Sequence, residues 1–221
     1  MRLRDRVTLD PDTQRRLTRA MQVVLVGLVF IGLDRGNVGI IANSAIALGV
    51  TYLPATLERD YRIPMDARLT LWITTAVFLH ALGTVGLPGS QLSFYQSVWW
   101  WDHLTHALSS SVVAAAGYAT VRAIDLHSEQ VTLPPRFIFV FILMFVVAFG
   151  VLWEVLEFAV GGLGSLFGGA TILTQYGLED TLLDLVFDII GGLVVAVWGS
   201  AYLSDVVGAL VRHLERRTDE A

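Results

Sequence analysis

Six long apolar segments dominate the sequence, and each approaches the length of a helix that crosses a membrane. They cover residues 21–33, 37–57, 67–85, 101–121, 137–160 and 180–203. A transmembrane helix needs about 20 mainly apolar residues, and the long side chain of Arg19 can complete the short first run by reaching back to the interface. The chain is 54% hydrophobic and 16% charged, which is too apolar for an ordinary soluble domain. We therefore expect an all-α, polytopic transmembrane helical bundle of about six spans.

The positions of the basic residues predict how the chain is oriented. All 15 are arginine, and cytoplasmic loops of membrane proteins carry an excess of positive charge. With the N-terminus inside, Arg35 alone falls in a segment that faces outward. The sequence therefore predicts a membrane protein with both termini on the cytoplasmic side. We expect a basic arm over 1–20, whose Asp10-Pro11-Asp12 starts a helix, a transmembrane domain over 21–203 and a cytoplasmic tail over 204–221.

Ionisable side chains gather at one depth of this bundle. Three tryptophans, typical of the membrane interface, precede Asp102, His103 and His106 at the start of the fourth span. His106 lies about 7 Å below the interface, and the acids of spans five and six reach about 9–12 Å, at about 1.5 Å per residue. The residues expected in the outer third of the bilayer are His80, Asp102, His103, His106, Glu154, Glu157, Asp180, Asp184 and Asp188.

The cost of such residues argues that they meet each other. An acid facing lipid near mid-bilayer costs about 2.5–3.5 kcal/mol, so Glu154, Asp184 and Asp188 together would cost about 8 kcal/mol. That figure is comparable with the whole stability of a domain, about 5–15 kcal/mol. No arginine is expected at this depth. The counter-charge is then a protonated histidine, a bound metal ion or protons shared between carboxyls.

Single residues in this set also have simpler interpretations. His80, with small neighbours on its face, is typical of a packed, hydrogen-bonded histidine. Asp180 is well placed to cap the N-terminus of span six, and Glu157 could lie in the headgroup region. Gly191 and Gly192 favour close helix packing.

Three motifs in the second half of the chain carry a family resemblance. They are Trp-Trp-Asp-His-Leu-Thr-His at 100–106, Trp-Glu-x-x-Glu at 153–157 and Asp-Thr-x-x-Asp-x-x-x-Asp-x-x-Gly-Gly at 180–192. The chain resembles the YjdF-type family of prokaryotic inner-membrane proteins and, more distantly, VanZ-like membrane proteins. VanZ-like sequences carry Asn and Gly late in the last motif, where this chain has Asp188 and Gly191. The resemblance implies architecture and membrane location, and it implies no reaction.

Three functional hypotheses follow from the polar residues. The first is a metal-dependent enzyme acting on a lipid or lipid-linked substrate, with Glu154 and Asp188 as catalytic carboxylates. Mixed nitrogen and oxygen ligands favour Zn, Mn or Fe. The second is a proton- or ion-coupled transporter, and the third is a structural protein with a buried polar network. The expected metal ligands are Asp102, His103, His106, Asp184, His80, Glu157 and Asp180.

Several other classes are excluded or disfavoured by the residues that the chain lacks. The absence of cysteine excludes disulfides, thiolate ligands and a cysteine nucleophile. No His-Glu-x-x-His zinc motif and no Gly-x-Ser-x-Gly elbow is present. Beyond the N-terminal arginines, whose expected role is to set the topology or to contact anionic lipid, nothing indicates nucleic-acid binding. We assign no oligomeric state.

Overall fold

The structure is a computed structural model, which describes residues 9–86, 89–90, 92–128, 130–166, 172–173 and 175–219. In these ranges the chain is helical, and no strand forms apart from an isolated bridge between Gly86 and Ser93. The helices are α1 Pro11–Asp34, α2 Val38–Val50, α3 Leu53–Tyr61, α4 Ala67–Gly83, α5 Phe94–Ser97, α6 Trp101–His127, α7 Pro135–Leu166, α8 Leu178–Tyr202 and α9 Ser204–Asp219.

Six segments of the described chain have the apolar character of membrane spans. Five are long enough to cross a bilayer, namely Pro11–Asp34, Val38–Tyr61, Trp101–His127, Pro135–Gly164 and Leu178–Tyr202. The sixth is the shorter apolar helix α4. The predicted all-α membrane bundle is confirmed.

The structure confirms one of the predicted helix starts and shifts another. The Asp10 carboxylate accepts hydrogen bonds from the backbone N–H groups of Asp12 and Thr13, and Pro11 occupies the first turn, as the sequence predicts. Span six begins earlier than expected. Gly177 is the N-cap of α8, and Asp180 lies within its first turn.

The second span is interrupted, whereas the sequence predicted one continuous helix over 37–57. The helix breaks between α2 and α3 at Thr51 and Tyr52, and Pro54 lies in the first turn of α3. Proline has no N–H to donate to the carbonyl four residues earlier, and its ring clashes with that turn. The break therefore follows from Pro54, and it ends α2 at Val50.

The helices pack into two groups joined by α4. The first group, α1, α2 and α4, encloses a core that includes Leu25, Leu28 and Ile40. The second group consists of α6, α7, α8 and α9, with α4 packed against α6. Residues expected as a tail form α9, whose buried Val207 and Ala209 belong to its packed face.

Candidate metal site between α6 and α8

Helices α6 and α8 approach closely because Gly191 has no side chain. A Cβ at Gly191 would meet the backbone carbonyl of Ala107 and the hydroxyl of Ser110 on α6. Asp184, Asp188 and Gly191 are spaced four and three residues apart, so they share one face of α8. The close contact therefore brings both aspartates against α6, where they are buried.

His106 lies at the centre of the resulting cluster. Its Nδ1 is 3.3 Å from Asp188 Oδ1. Its Nε2 is 3.7 Å from Asp102 Oδ1, one turn earlier on α6, and 3.9 Å from Asp184 Oδ2. One ring nitrogen thus contacts a single carboxylate, while the other faces two.

Three of these residues could hold a metal ion together. One ligand atom from each of Asp102, His106 and Asp184 lies within 4.8 Å of the others. Around a tetrahedral ion with bonds of about 2.0–2.2 Å, ligand atoms are about 3.3–3.6 Å apart. The separations from His106 Nε2 to the two carboxylates exceed this range by only a few tenths of an ångström. The two carboxylates lie within 4.8 Å of each other, so side-chain movements would have to bring them closer to complete the coordination.

His103 contacts the same cluster from the side. Its Nδ1 is 3.3 Å from Asp184 Oδ1, and its ring stacks on Phe187 with centroids 4.6 Å apart and planes 3° apart. Asp184 therefore has one oxygen facing His103 and the other facing His106. His103, a predicted metal ligand, therefore contacts Asp184 and is not one of the three grouped residues.

Glu154 enters from α7 one helical turn away from Asp184. Its Oε2 accepts a hydrogen bond from Thr181 Oγ1 at 2.7 Å and one from Gln175 Nε2 at 3.4 Å. Its Oε1 is buried and has no hydrogen-bond partner in the described part of the chain. Buried polar atoms are nearly always paired, so this oxygen is a candidate for contact with a ligand or water.

Two further predicted ligands lie outside this group. Glu157 accepts a hydrogen bond from Trp153 Nε1 at 3.1 Å, and Asp180 accepts one from the backbone N–H of Tyr176 at 3.3 Å. Neither contributes an atom to the Asp102–His106–Asp184 group.

His80 belongs to a separate hydrogen-bonded chain. Its Nδ1 is 2.8 Å from the Tyr95 hydroxyl and its Nε2 is 3.2 Å from Asn43 Oδ1. The Asn43 amide nitrogen donates to the carbonyls of Gly39 and Ile172, so its oxygen accepts and His80 Nε2 donates. Burial raises the pKa of the Tyr95 phenol, so the hydroxyl keeps its proton, and it also lies 3.3 Å from the His80 carbonyl oxygen. Both ring nitrogens of His80 therefore have a hydrogen-bonding partner.

Sequence reasoning did not select several neutral residues of these networks. Each of these residues forms a hydrogen bond with His80 or Glu154: Asn43 and Tyr95 with His80, and Gln175 and Thr181 with Glu154. The Thr in the Asp-Thr-x-x-Asp motif was part of the pattern that carried the resemblance, and its position one turn before Asp184 could have indicated Thr181. No local signal distinguishes Asn43, Tyr95 or Gln175 from other polar residues.

Two cavities border the cluster, one at Asp102 and the other at His106 and Asp188. A cavity of about 640 Å³, here called the polar cavity, is lined by residues that include Arg35, Gln96, Asp102 and Glu157. A second of about 420 Å³, the apolar groove, is lined by residues that include His106, Asp188, Val113 and Phe149. Four residues line both cavities: Asn43, His80, Ile172 and Leu173.

The fold and the site define a polytopic α-helical membrane protein with a buried cluster of histidine and aspartate. Residues 16–205 match the sequence profile of the family described as predicted membrane protein, DUF2238, and the chain belongs to that family. This membership confirms the resemblance to a YjdF-type membrane-protein family.

A relative from Thermotoga maritima, described as an uncharacterized protein, is 30% identical over 140 residues. The match covers 63% of this chain and 66% of the relative, slightly less than two thirds of its length. No solved structure matches the chain.

Proposed function

We propose that Asp102, His106 and Asp184 bind a divalent cation, and that the protein is a metal-dependent enzyme acting on a lipid or lipid-linked substrate. The observation that carries this proposal is the environment of His106. Asp188 lies against Nδ1 while Nε2 faces two carboxylates. Metal-binding histidines commonly donate their second ring N–H to a carboxylate, which fixes the tautomer and orients the ring. Asp188 is the residue that does this for His106.

The charge of the cluster supports a bound cation. Asp102, Asp184 and Asp188 lie around one imidazole, and the arginine ion pairs of the described chain involve Asp12, Asp60 and Asp125 instead. Three carboxylates at bilayer depth require compensation, because an unpaired buried charge is costly. A divalent ion would compensate two of them, and His103 lies beside Asp184.

The chemistry of the ligands narrows the choice of metal ion. One imidazole nitrogen and two carboxylates suit Zn, Mn or Fe better than Ca or Cu(I). Three protein ligands leave a position free, as in catalytic metal sites. Such an ion acts as a Lewis acid toward a carbonyl or phosphoryl oxygen and lowers the pKa of water. We assign the role of proton acceptor to Glu154, and this is supported by its Oε1, which is buried and unpaired within the described chain.

The arginine distribution supports an outward-facing site in the cytoplasmic membrane. Arg35 lies in the turn between α1 and α2, at the end of the bundle that carries the polar cavity. Arg59, Arg68, Arg122 and Arg136 lie near the opposite helix ends. By the positive-inside rule, the end of the bundle that carries these four arginines is cytoplasmic, and we assign both termini to the same side.

Metal analysis of protein purified in detergent tests the metal site. After dialysis against metal-free buffer, we expect wild type to retain a divalent ion and Asp184→Asn to lose it, since the amide cannot replace an anionic ligand. Asp180→Asn is the matched control, because it makes the same change on α8 outside the group. Equal metal content in wild type and Asp184→Asn would contradict the proposal and favour a structural polar network.

A further inference from the structure

The apolar groove extends from His106 toward the middle of the bundle. Helices α2, α4, α6 and α7 form it, and Ile46, Val77, Val113 and Phe149 are among its lining residues. From His106 to Val113 it follows α6 over a rise of about 10 Å. Because these helices are the apolar spans of the bundle, the groove lies at the depth of the hydrocarbon core.

The groove is open sideways between α2 and α7. Within the described chain, α2 packs against α1 and α4, and α7 packs against α6 and α8, without extensive packing between α2 and α7. On the two rims, Ile46 is 63% exposed and Phe149 is 44% exposed. In a bilayer this opening faces lipid tails. Where Ile46, Val77, Val113 and Phe149 line it, the groove is apolar, and an apolar space does not hold ordered water. Hydrocarbon from the surrounding lipid is therefore the expected occupant of this part.

At its other end the groove meets the polar cavity. Asn43 and His80 line both spaces. Asp102 lines the polar cavity, whereas His106 and Asp188 line the groove. An amphiphile with its chain in the groove and its head group in the polar cavity would therefore place their junction beside the histidine–aspartate cluster.

The polar cavity offers a cationic partner for the head group. Arg35 is the one arginine among its described lining residues, and it forms no ion pair with a described residue. Neutral donors, including Asn37, Ser90 and Gln96, line the same space. A guanidinium group with nearby amide and hydroxyl donors suits a phosphate group.

We propose that the groove and the polar cavity together bind one phosphate-bearing bilayer lipid, with a hydrocarbon chain between α2 and α7 and the phosphate toward Arg35. As an assignment of substrate class this rests on the proposed function, but the binding of the lipid does not require the metal. Ser109 lines the groove one turn from His106, so a large side chain there would occupy the space of the chain.

Photocrosslinking in vesicles tests this binding mode. The probe is phosphatidylglycerol with a diazirine near the end of one acyl chain, in vesicles of phosphatidylethanolamine and phosphatidylglycerol. We expect label on residues 46–50 of α2 and 146–150 of α7 in wild type. Ser109→Phe should reduce that label severalfold, while Ser109→Ala, which leaves the space open, keeps it. Arg35→Gln should also reduce it, and Arg19→Gln at the other end of α1 should not.

Metal content is measured on the same variants, so the two proposals fail separately. If the groove is labelled in wild type and that label is lost in Ser109→Phe, the result supports lipid binding even if no metal is found. Equal groove label in Ser109→Phe and wild type, or label spread evenly over all exposed helix faces, overturns the lipid site. A metal-binding protein with either of those labelling results would keep the proposed metal site and lose this substrate.

Discussion

In the proposed metal site, Asp188 would determine which nitrogen of His106 is free to bind the ion. Its Oδ1 lies 3.3 Å from Nδ1, and its Oδ2 lies against Gly150 on α7, where a Cβ would collide with it. The carboxylate is thus held between α7 and the His106 ring of α6. In the proposed site Asp188 is a positioning residue, although the sequence suggested it as a catalytic carboxylate.

Removing Asp188 should weaken metal binding without removing a ligand. We expect Asp188→Ala to lower divalent-metal affinity about 10–100-fold, the usual effect of losing a carboxylate behind a metal-binding histidine. Asp188→Asn should restore part of the affinity, because its amide oxygen can still accept from Nδ1. Competition with a chelating dye measures the affinities. Asn and Ala variants that bind equally would show that the hydrogen bond does not orient His106.

The Tyr95–His80 hydrogen bond should contribute to stability rather than to metal binding. In Tyr95→Phe the half-buried His80 Nδ1 loses the hydroxyl that now lies 2.8 Å away, at a cost of about 1 kcal/mol. We expect a lower unfolding temperature in detergent with unchanged metal content. Tyr61→Phe is the matched control, because Tyr61 is exposed. A loss of metal in Tyr95→Phe would instead connect His80 to the metal site.

At the residue scale, the sequence predicts depth but not the direction in which a side chain points. Counting along helices predicted a similar depth for His80, Glu154 and His106 and a shallower one for Glu157, since rise per residue is independent of the neighbours. The rotation of each helix depends on contacts far away in the chain. His80 turns toward Tyr95 and Asn43, and Glu157 accepts from Trp153, for reasons that no local pattern contains.

At the scale of elements, the α6–α8 contact depends on one glycine. The absence of a side chain at Gly191 allows α6 to reach the backbone of α8, and Gly192 on the next face lies against Val146 of α7. The expected packing role of this glycine pair is therefore visible in the structure. The same contact sets the separation between His106 and the aspartates of α8.

Adding one methyl group at this contact should disturb both stability and the metal site. In Gly191→Ala the Cβ would collide with the Ala107 carbonyl, so we expect a loss of about 1–3 kcal/mol from overpacking and a severalfold lower metal affinity. Gly27→Ala is the control, because nothing lies within 4 Å of a Cβ there. Alanine is the better helix former, so this control should be neutral or stabilised by up to about 1 kcal/mol. Equal unfolding temperatures for the two variants would contradict the close contact.

The differences between predicted and observed elements have local and long-range causes. The end of α2 at Val50 could have been predicted, because Pro54 was visible in the sequence. The packing of α9 could not, because its Val207 and Ala209 are buried in an arrangement that brings α9 against α6. Helix existence depends on local composition, whereas packing partners depend on the whole bundle.

At the scale of the whole molecule, the arrangement of the two helix groups creates the cavities. Helices α1, α2 and α4 lie on one side, α6 to α9 lie on the other, and α4 packs against α6. The polar cavity and the apolar groove lie between the two groups. Apolar length predicted the number of spans, but the gap between α2 and α7 could not be anticipated, because it reflects contacts that the helices do not make.

The orientation of the molecule decides which side of the membrane the polar cavity faces. The chain contains no cysteine, so single-cysteine variants report accessibility without background. Ser97, beside the polar cavity, and Asp60, near the arginine-rich helix ends, are both exposed. We expect a membrane-impermeant maleimide to label Ser97→Cys in intact cells, and Asp60→Cys only after the membrane is permeabilised. The reverse pattern would place the polar cavity on the cytoplasmic side, where a lipid of the inner leaflet would be the one in reach of Arg35.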